Sequence, residues 1–346
     1  MNQLLIGDNL HLLKEIPDAS IDHIYTDPPY LSNNKSLTYS DTMTELDWLS
    51  FMHKRLLEMH RILKPTGTLL IHIDERMQVE LNQILFNIFK KKNKIVQFIW
   101  RKKTTASNQS KFATIEHEYI IAYAKDIKKC KWNHIPIEKE YMQNVPELSY
   151  RPLKLDHPIE KHPGGVYPIY IDNVHISLSP FPDAIEILPQ NGKQPGCWRF
   201  IPSTCQKFID ADMLMIKNNK IYVKQYANFK FDKSTGTLIP FVRTNPIRSI
   251  ILSPTNLNSN KEIKAIFNRT AFTYSKPIDL VKSLITLISN PLDTILDPFA
   301  GSGTTGQAAF ELNRKFLLMQ LDENNIPSLI QERLNKTIGK VNYVVI

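Results

Sequence analysis

Two short stretches combine residue types that do chemistry with turns that would hold them still. In Thr26-Asp27-Pro28-Pro29-Tyr30 the two prolines fix their own φ and remove two N–H donors, leaving the Asp27 carboxylate and the Pro28 carbonyl as acceptors at the end of an apolar run. An –NH₂ group donates two hydrogen bonds. Two fixed acceptors satisfy both and draw its lone pair out of ring conjugation, and Tyr30 offers a stacking face for a planar base. Taken alone, Pro-Pro-Tyr is more often a proline turn or an interaction motif. The second stretch is Asp297-Pro298-Phe299-Ala300-Gly301-Ser302-Gly303-Thr304-Thr305-Gly306, between a strand-like run and a helical one. Its glycines let the backbone turn sharply and approach a ligand, and the free N–H groups at a helix start favour an anionic or acceptor group. The lysine of a phosphate-binding P-loop is absent. About 20 residues on, where nucleotide-binding α/β folds place a ribose acceptor, Met319-Gln320-Leu321-Asp322 ends another apolar run, so Gln320 and Asp322 are the ribose candidates. Asp322 in isolation is more often a helix cap or a turn acid.

These motifs need a scaffold that turns at strand ends. Gln3–Ile6 reads as a strand, Leu10, Leu13 and Ile16 as one face of a helix, and Ile21–Thr26 as a second strand. A helix is predicted from about Glu45 to Leu63 on Trp48, Met52, Leu56, Met59 and Leu63, broken by Pro65-Thr66-Gly67 before the strand Thr68–Ile73. A helix over Arg76–Phe89 and strands at Ile95–Trp100 and Tyr119–Tyr123 continue the alternation. The same grammar resumes late, with a helix at Lys276–Ser289, strands at Thr294–Leu296 and Lys315–Leu321, and a last helix from Ile326. Such alternation predicts an α/β fold with a mostly parallel sheet covered by helices. Between them prolines crowd and short β-like runs such as Val166–Ile171 and Lys220–Tyr226 alternate with polar turns. The expected division is therefore 1–127, an inserted β-rich domain at 128–267, and 268–346.

Lysine plus arginine exceed aspartate plus glutamate by 43 to 34, a formal net charge of +9 that favours a polyanionic partner. The insertion mixes cations and aromatics: Arg151, Lys154, Lys161, Trp198, Arg199, Lys207, Lys224, Tyr226, Lys230, Arg243 and Arg248. No stretch approaches the roughly 20 apolar residues of a membrane span, and the opening residues lack signal-peptide features, so a cytoplasmic protein without membrane contact is expected. Cys130, Cys197 and Cys205 have no ligand spacing and are expected as free thiols. His157 and His162 lack further ligands nearby, so no metal site is expected.

Together the two motifs resemble the amino-methylating DNA methyltransferases that use S-adenosylmethionine, with Asp27-Pro28-Pro29-Tyr30 as catalytic motif and Asp297–Gly303 as cofactor motif. Catalytic motif first, insertion second and cofactor motif last is the permuted order of the β group. Gly7-Asp8-Asn9-Leu10, Lys64-Pro65-Thr66-Gly67, Glu118-Tyr119-Ile120 and Ser275-Lys276-Pro277 extend the likeness, and Gly196-Cys197-Trp198-Arg199-Phe200 is similar to the modification subunits of type III restriction systems. The resemblance implies a circularly permuted, doubly wound Rossmann-like methyltransferase sheet with an inserted target-recognition domain. It also implies methyl transfer to N6 of an adenine flipped out of double-stranded DNA, within a restriction-modification system. Asp27, Pro28, Pro29 and Tyr30 would serve the base. Asp297, Phe299, Gly301 and Gly303 would border the methionine part of the cofactor, Gln320 the ribose, Asp8 the adenine edge, and Lys276 and Pro277 the same pocket, with Pro298, Ala300, Ser302 and Asp322 counted among the cofactor-binding residues. Many relatives carry an acid where this chain has Gln320. Relatives acting on cytosine N4 more often carry serine in place of Asp27. Cytosine methylation, a non-catalytic DNA-binding specificity subunit, and an RNA or protein methylase stay open as alternatives, as do a homodimer and a partner restriction nuclease.

Overall fold

The computed structural model describes residues 2–31, 43–104, 112–136, 148–155, 159, 162–191, 194–241, 244–269, 271–272, 275–340 and 342–345. Lys161, Arg243 and His157 lie outside them, as does the side chain of Lys154. The chain divides into two compact units, 1–135 with 246–346, and 136–245.

In the first unit a sheet of nine described strands comprises β1 (Gln3–Ile6), β2 (Ile21–Thr26), β3 (Leu63–Ile73), β4 (Lys94–Arg101), β5 (His117–Ala124), β6 (Ile250–Ile251), β7 (Thr294–Asp297), β8 (Lys315–Gln320) and β9 (Asn342–Val345). Their spatial order is β6-β4-β5-β3-β2-β7-β8-β1-β9. All neighbours run parallel except where β5 lies reversed between β3 and β4. The late strand β7 lies beside the early strand β2, with His23 opposite Ile295 and Ile24 opposite Leu296. The two motif strands are therefore adjacent at the point where the winding reverses, and a doubly wound sheet opens its crevice at that point.

Alternating strand residues feed two cores. Ile24 and Ile71 face one with α1 (Asn9–Lys14), α2 (Glu45–Ile62) and α3 (Gln78–Phe89), whereas Tyr25 and Leu70 face the other with α5 (Ile278–Ile288), α6 (Thr304–Glu311) and α7 (Ile326–Thr337). The helical spacing of Trp48, Met52, Leu56 and Met59 becomes one fully buried face of α2, which Thr44 caps by accepting from Asp47 N at 3.2 Å. Pro65-Thr66-Gly67 does not break the chain before β3, because the strand starts at Leu63, opposite Ile21. Gly67 is needed there: a Cβ would lie 2.4 Å from the Asp22 carbonyl oxygen.

The second unit begins later and ends earlier than the expected 128–267. Residues 246–267 belong to the first unit because β6 pairs with β4 and the helix α4 (Asn256–Phe267) packs on α7. Among its described residues the unit 136–245 holds short antiparallel ribbons, a 3-10 turn at Pro163–Gly165 and one α-helix, Pro202–Asp210, around Leu153, Ile169, Trp198, Phe208 and Ile221. Phe208 stacks on Phe231 at 4.2 Å and lies 4.6 Å from Phe200. Among the described residues Cys130, Cys197 and Cys205 form no disulfide. Among the described residues no helix is long and apolar enough to cross a membrane.

Candidate active site

A cavity of about 470 Å³ opens at the C-terminal ends of the parallel strands of the large sheet, within the size range of small-ligand sites. Topology decides what reaches it. The parallel strands deliver their C-terminal ends, so Asp8, Asp27, Asp74, Lys102, Asp297 and Gln320 arrive together, and the reversed strand β5 contributes its N-terminal end through Glu118. Of the residues singled out from the sequence, Asp8, Asp27, Pro28, Pro29, Tyr30, Lys276, Asp297, Pro298, Phe299, Ala300, Gly301, Ser302 and Gln320 line this cavity. Pro277, Gly303 and Asp322 are not among its lining residues. Asp322 is exposed, and its neighbours Leu321 and Glu323 line the cavity instead. Pro277 is the N-cap of α5. Gly303 adopts φ +74° and a Cβ there would lie 2.9 Å from Ile330 Cγ2, so this glycine serves packing behind the loop.

On the catalytic-motif side, Trp48 Nε1 donates to the Pro29 carbonyl at 2.7 Å and pins the double-proline turn to α2. The Tyr30 hydroxyl donates to Asp27 Oδ1. The ammonium of Lys276 reaches the other Asp27 oxygen at 2.9 Å, Glu118 Oε2 at 3.1 Å and the Tyr30 hydroxyl oxygen at 3.0 Å. Lys102 pairs with the remaining Glu118 oxygen at 3.1 Å. Two carboxylates and two ammonium groups thus neutralise one another around the turn. Burial raises Glu118, but Lys276 and then Lys102 outweigh it and hold the carboxyl at about 2. Lys276 is itself raised despite its burial, by Asp27 and Glu118. Burial, with Asp27 next, pushes Tyr30 well above its usual value, so its hydroxyl stays protonated.

On the glycine-loop side, both Asp297 oxygens are used within the loop: Phe299 N donates to Oδ1 at 3.0 Å and Thr305 Oγ1 to Oδ2 at 2.5 Å. Burial nonetheless pushes this carboxyl up to about 7. Gly301 sits at φ +54°, where a side chain is disfavoured, and its N–H donates to Gln320 Oε1 at 3.0 Å. Gln320 therefore ties the loop to the end of β8. Asp8 caps α1 by accepting from Leu10 N at 2.7 Å and pairs with Arg55 at 3.0 Å. Arg55 also donates to Asn9 Oδ1 at 2.5 Å, and Asn9 Nδ2 donates to the Pro298 carbonyl at 2.6 Å. The Arg55 guanidinium lies 3.5 Å over the Phe51 ring, and Phe51 lies 6.0 Å from Phe299.

Arg55, Lys102 and Glu118 were not among the expected site residues. Two of them left a faint trace in the sequence: Arg55 interrupts the apolar stripe of α2, and Glu118 is a lone carboxylate in an otherwise apolar strand.

The chain is 27% identical to the Mod subunit of the type III restriction-modification enzyme StyLTI of Salmonella typhimurium, over 98% of this chain and 57% of that one. It is 27% identical to the type II methyltransferase M.KpnI of Klebsiella pneumoniae, over 99% of this chain and 87% of that one. The chain thus spans little more than half the length of the Salmonella subunit. A Thermus thermophilus protein described as a putative DNA modification methylase, solved with S-adenosyl-L-methionine, superposes with a TM-score of 0.50 at 16% identity, covering both chains completely. That likeness concerns the fold, a Rossmann-like methyltransferase sheet. A family model described as DNA methylase, of the N6/N4 type, matches residues 21–332, and the chain belongs to that family.

Proposed function

We propose that this chain methylates N6 of adenine in double-stranded DNA with S-adenosylmethionine as donor, as the modification enzyme of a restriction-modification system. The observation that carries the reading is that a rigid acceptor pair, Asp27 with the Pro28 carbonyl, and a left-handed glycine turn line one cavity.

The residues present fit the cofactor. Gly301 leaves room for close backbone approach, and Phe299 with Phe51 offers apolar ring surface beside it. Gln320 is the candidate at the ribose, and Asp8, held by Arg55, the candidate at the adenine edge. Bound there, S-adenosylmethionine supplies a sulfonium methyl for in-line attack by the target amine. Asp27 accepts a hydrogen bond from that amine and opposes the positive charge growing on nitrogen, and the Pro28 carbonyl takes the second N–H. Tyr30 stacks on the flipped base. Prolines and the Trp48 bond keep the acceptors from relaxing, so catalysis is mainly positioning plus electrostatics. The unit 136–245 is assigned target recognition, its cations contacting phosphates and a few side chains reading base edges.

Cytosine N4 presents the same kind of amine, and Asp27 in place of the serine more common in cytosine enzymes favours adenine. Labelled S-adenosylmethionine incubated with genomic DNA, followed by digestion to nucleosides, tests the reading. Label in N6-methyladenine is expected. Label in N4-methylcytosine would move the assignment to the other base, and an unlabelled digest would refute it.

A further inference from the structure

Arg333, on α7, is fully buried behind the part of the cavity wall formed by Ser302 and Thr304. Its Nε donates to Gln307 Oε1 at 2.9 Å and its Nη1 to Thr304 Oγ1 at 2.8 Å, with longer bonds to Ser302 and Ser275. Its Nη2 has no hydrogen-bond partner. Among the described residues this cation forms no ion pair, and the acids around it are committed elsewhere. Glu311 pairs with Lys282, Glu332 with Arg269 and Lys336, and Glu262 accepts from the backbone N–H of Ile278 at 3.0 Å.

A buried cation without a paired counter-ion needs compensation. Besides the Gln307 oxygen, the Ser302 carbonyl and the nearby carboxylates Glu262 and Glu311, three hydroxyls supply it. Ser275, Ser302 and Thr304 lie within 2.8–3.1 Å of one another. An oxygen that accepts from Arg333 turns its own hydrogen away, and Ser302 and Thr304 border the cavity. Thr304 also opens α6, whose first N–H groups add positive potential on the same side. A wall so built favours an anion over a neutral ligand.

We propose that Arg333 is a positioning residue that, through Thr304 and Ser302, prepares the glycine-loop wall for the carboxylate of the cofactor's amino-acid end. The inference rests on S-adenosylmethionine being the cofactor. It goes further in predicting that carboxylate recognition depends on a residue buried behind the loop.

The test compares calorimetric affinities of S-adenosylmethionine and decarboxylated S-adenosylmethionine, which lacks only the carboxylate, for the full chain and its variants. Arg333→Met should weaken the parent cofactor about tenfold or more and the decarboxylated one less than about threefold. Arg333→Lys should recover part of the loss. Thr304→Val interrupts the same route without emptying the core and should show the same selective loss. Equal losses for both ligands, in either variant, would mean the loop had merely been disordered and would overturn the inference, as would undiminished affinity. If the unaltered chain binds neither ligand, the cofactor reading fails and this inference fails with it.

Discussion

Lys276→Met removes the ammonium shared by Asp27, Glu118 and Tyr30 and keeps most of its apolar stem. The Lys276 ammonium lies 2.9 Å from Asp27 and 3.1 Å from Glu118, and together with Lys102 it holds the Glu118 carboxyl at about 2. After its removal Glu118 retains Lys102 at 3.1 Å, whereas Asp27 loses the one ion-pair partner described for it. The other groups facing the cluster do not replace the charge: His72 is buried and lowered to about 4, hence neutral, and Asp297 adds negative character. An opposite charge at such range favours an ionised carboxylate by about 1–3 pH units, or roughly 1.4–4 kcal/mol. The Glu118 titration should therefore move up by about 1–3 pH units in the variant, and Lys276→Arg should leave it nearly in place. Acid unfolding should shift in the same direction. Glu118 is held near 2 against an ordinary 4.5, so it contributes stability above 4.5 that is lost as pH falls towards 2, and that loss should begin at higher pH without Lys276. The assay is thermal melting of parent and variant across pH 2–7, with calorimetric cofactor binding on the same preparations. An unchanged pH dependence of melting in folded Lys276→Met protein that binds cofactor would refute the reasoning.

Asp27→Asn should lower single-turnover methylation by about 10²-fold or more, the scale of losing one preorganised electrostatic partner, and Asp27→Ala further, while calorimetry shows cofactor binding retained. Asp297 is raised to about 7 from an ordinary 3.8, so its contribution to stability is present at low pH and disappears as pH rises from about 4 to 7; melts of Asp297→Asn should show a flatter pH dependence across that window, and an unchanged slope would count against it. Gly301→Val forces a β-branched residue to φ +54° beside Gln320, and the folded variant should lose cofactor affinity by calorimetry.

Apolar periodicity made the frame readable, because burial on a two-faced sheet imposes it directly: the buried stripe of α2 and the runs of β2, β3 and β8 stand close to where their pattern puts them. Pro65-Thr66-Gly67 misled because strand pairing with Ile21 and the tight approach of Gly67 to Asp22 outweigh local turn preference. The helix Asn256–Phe267 was hidden in a proline-rich context, its apolar face reduced to a few residues such as Ile263 and Phe267. In the site, the two motif loops were legible because each is contiguous. Glu118, Lys102 and the reach of Lys276 into the catalytic turn were not. They depend on the reversal of β5 and on which strands become neighbours, and neither is written in local spacing.

The adjacency of β2 and β7 also has a cost in time. Thr294 N–H donates to Asp22 Oδ2 at 3.0 Å across 272 residues of chain. Closing so long a loop costs about 5 kcal/mol of chain entropy before any contact offsets it. At roughly 5–20 residues per second of synthesis, about 15–50 s separate the emergence of the catalytic turn from that of its neighbouring strand. During that interval β2 is an unfinished edge with unpaired backbone groups, open to wrong partners. The central contact that creates the crevice is thus among the last to form on a growing chain, and a polypeptide halted before Thr294 would carry the Asp-Pro-Pro-Tyr turn without the strand that gives it an opposite wall.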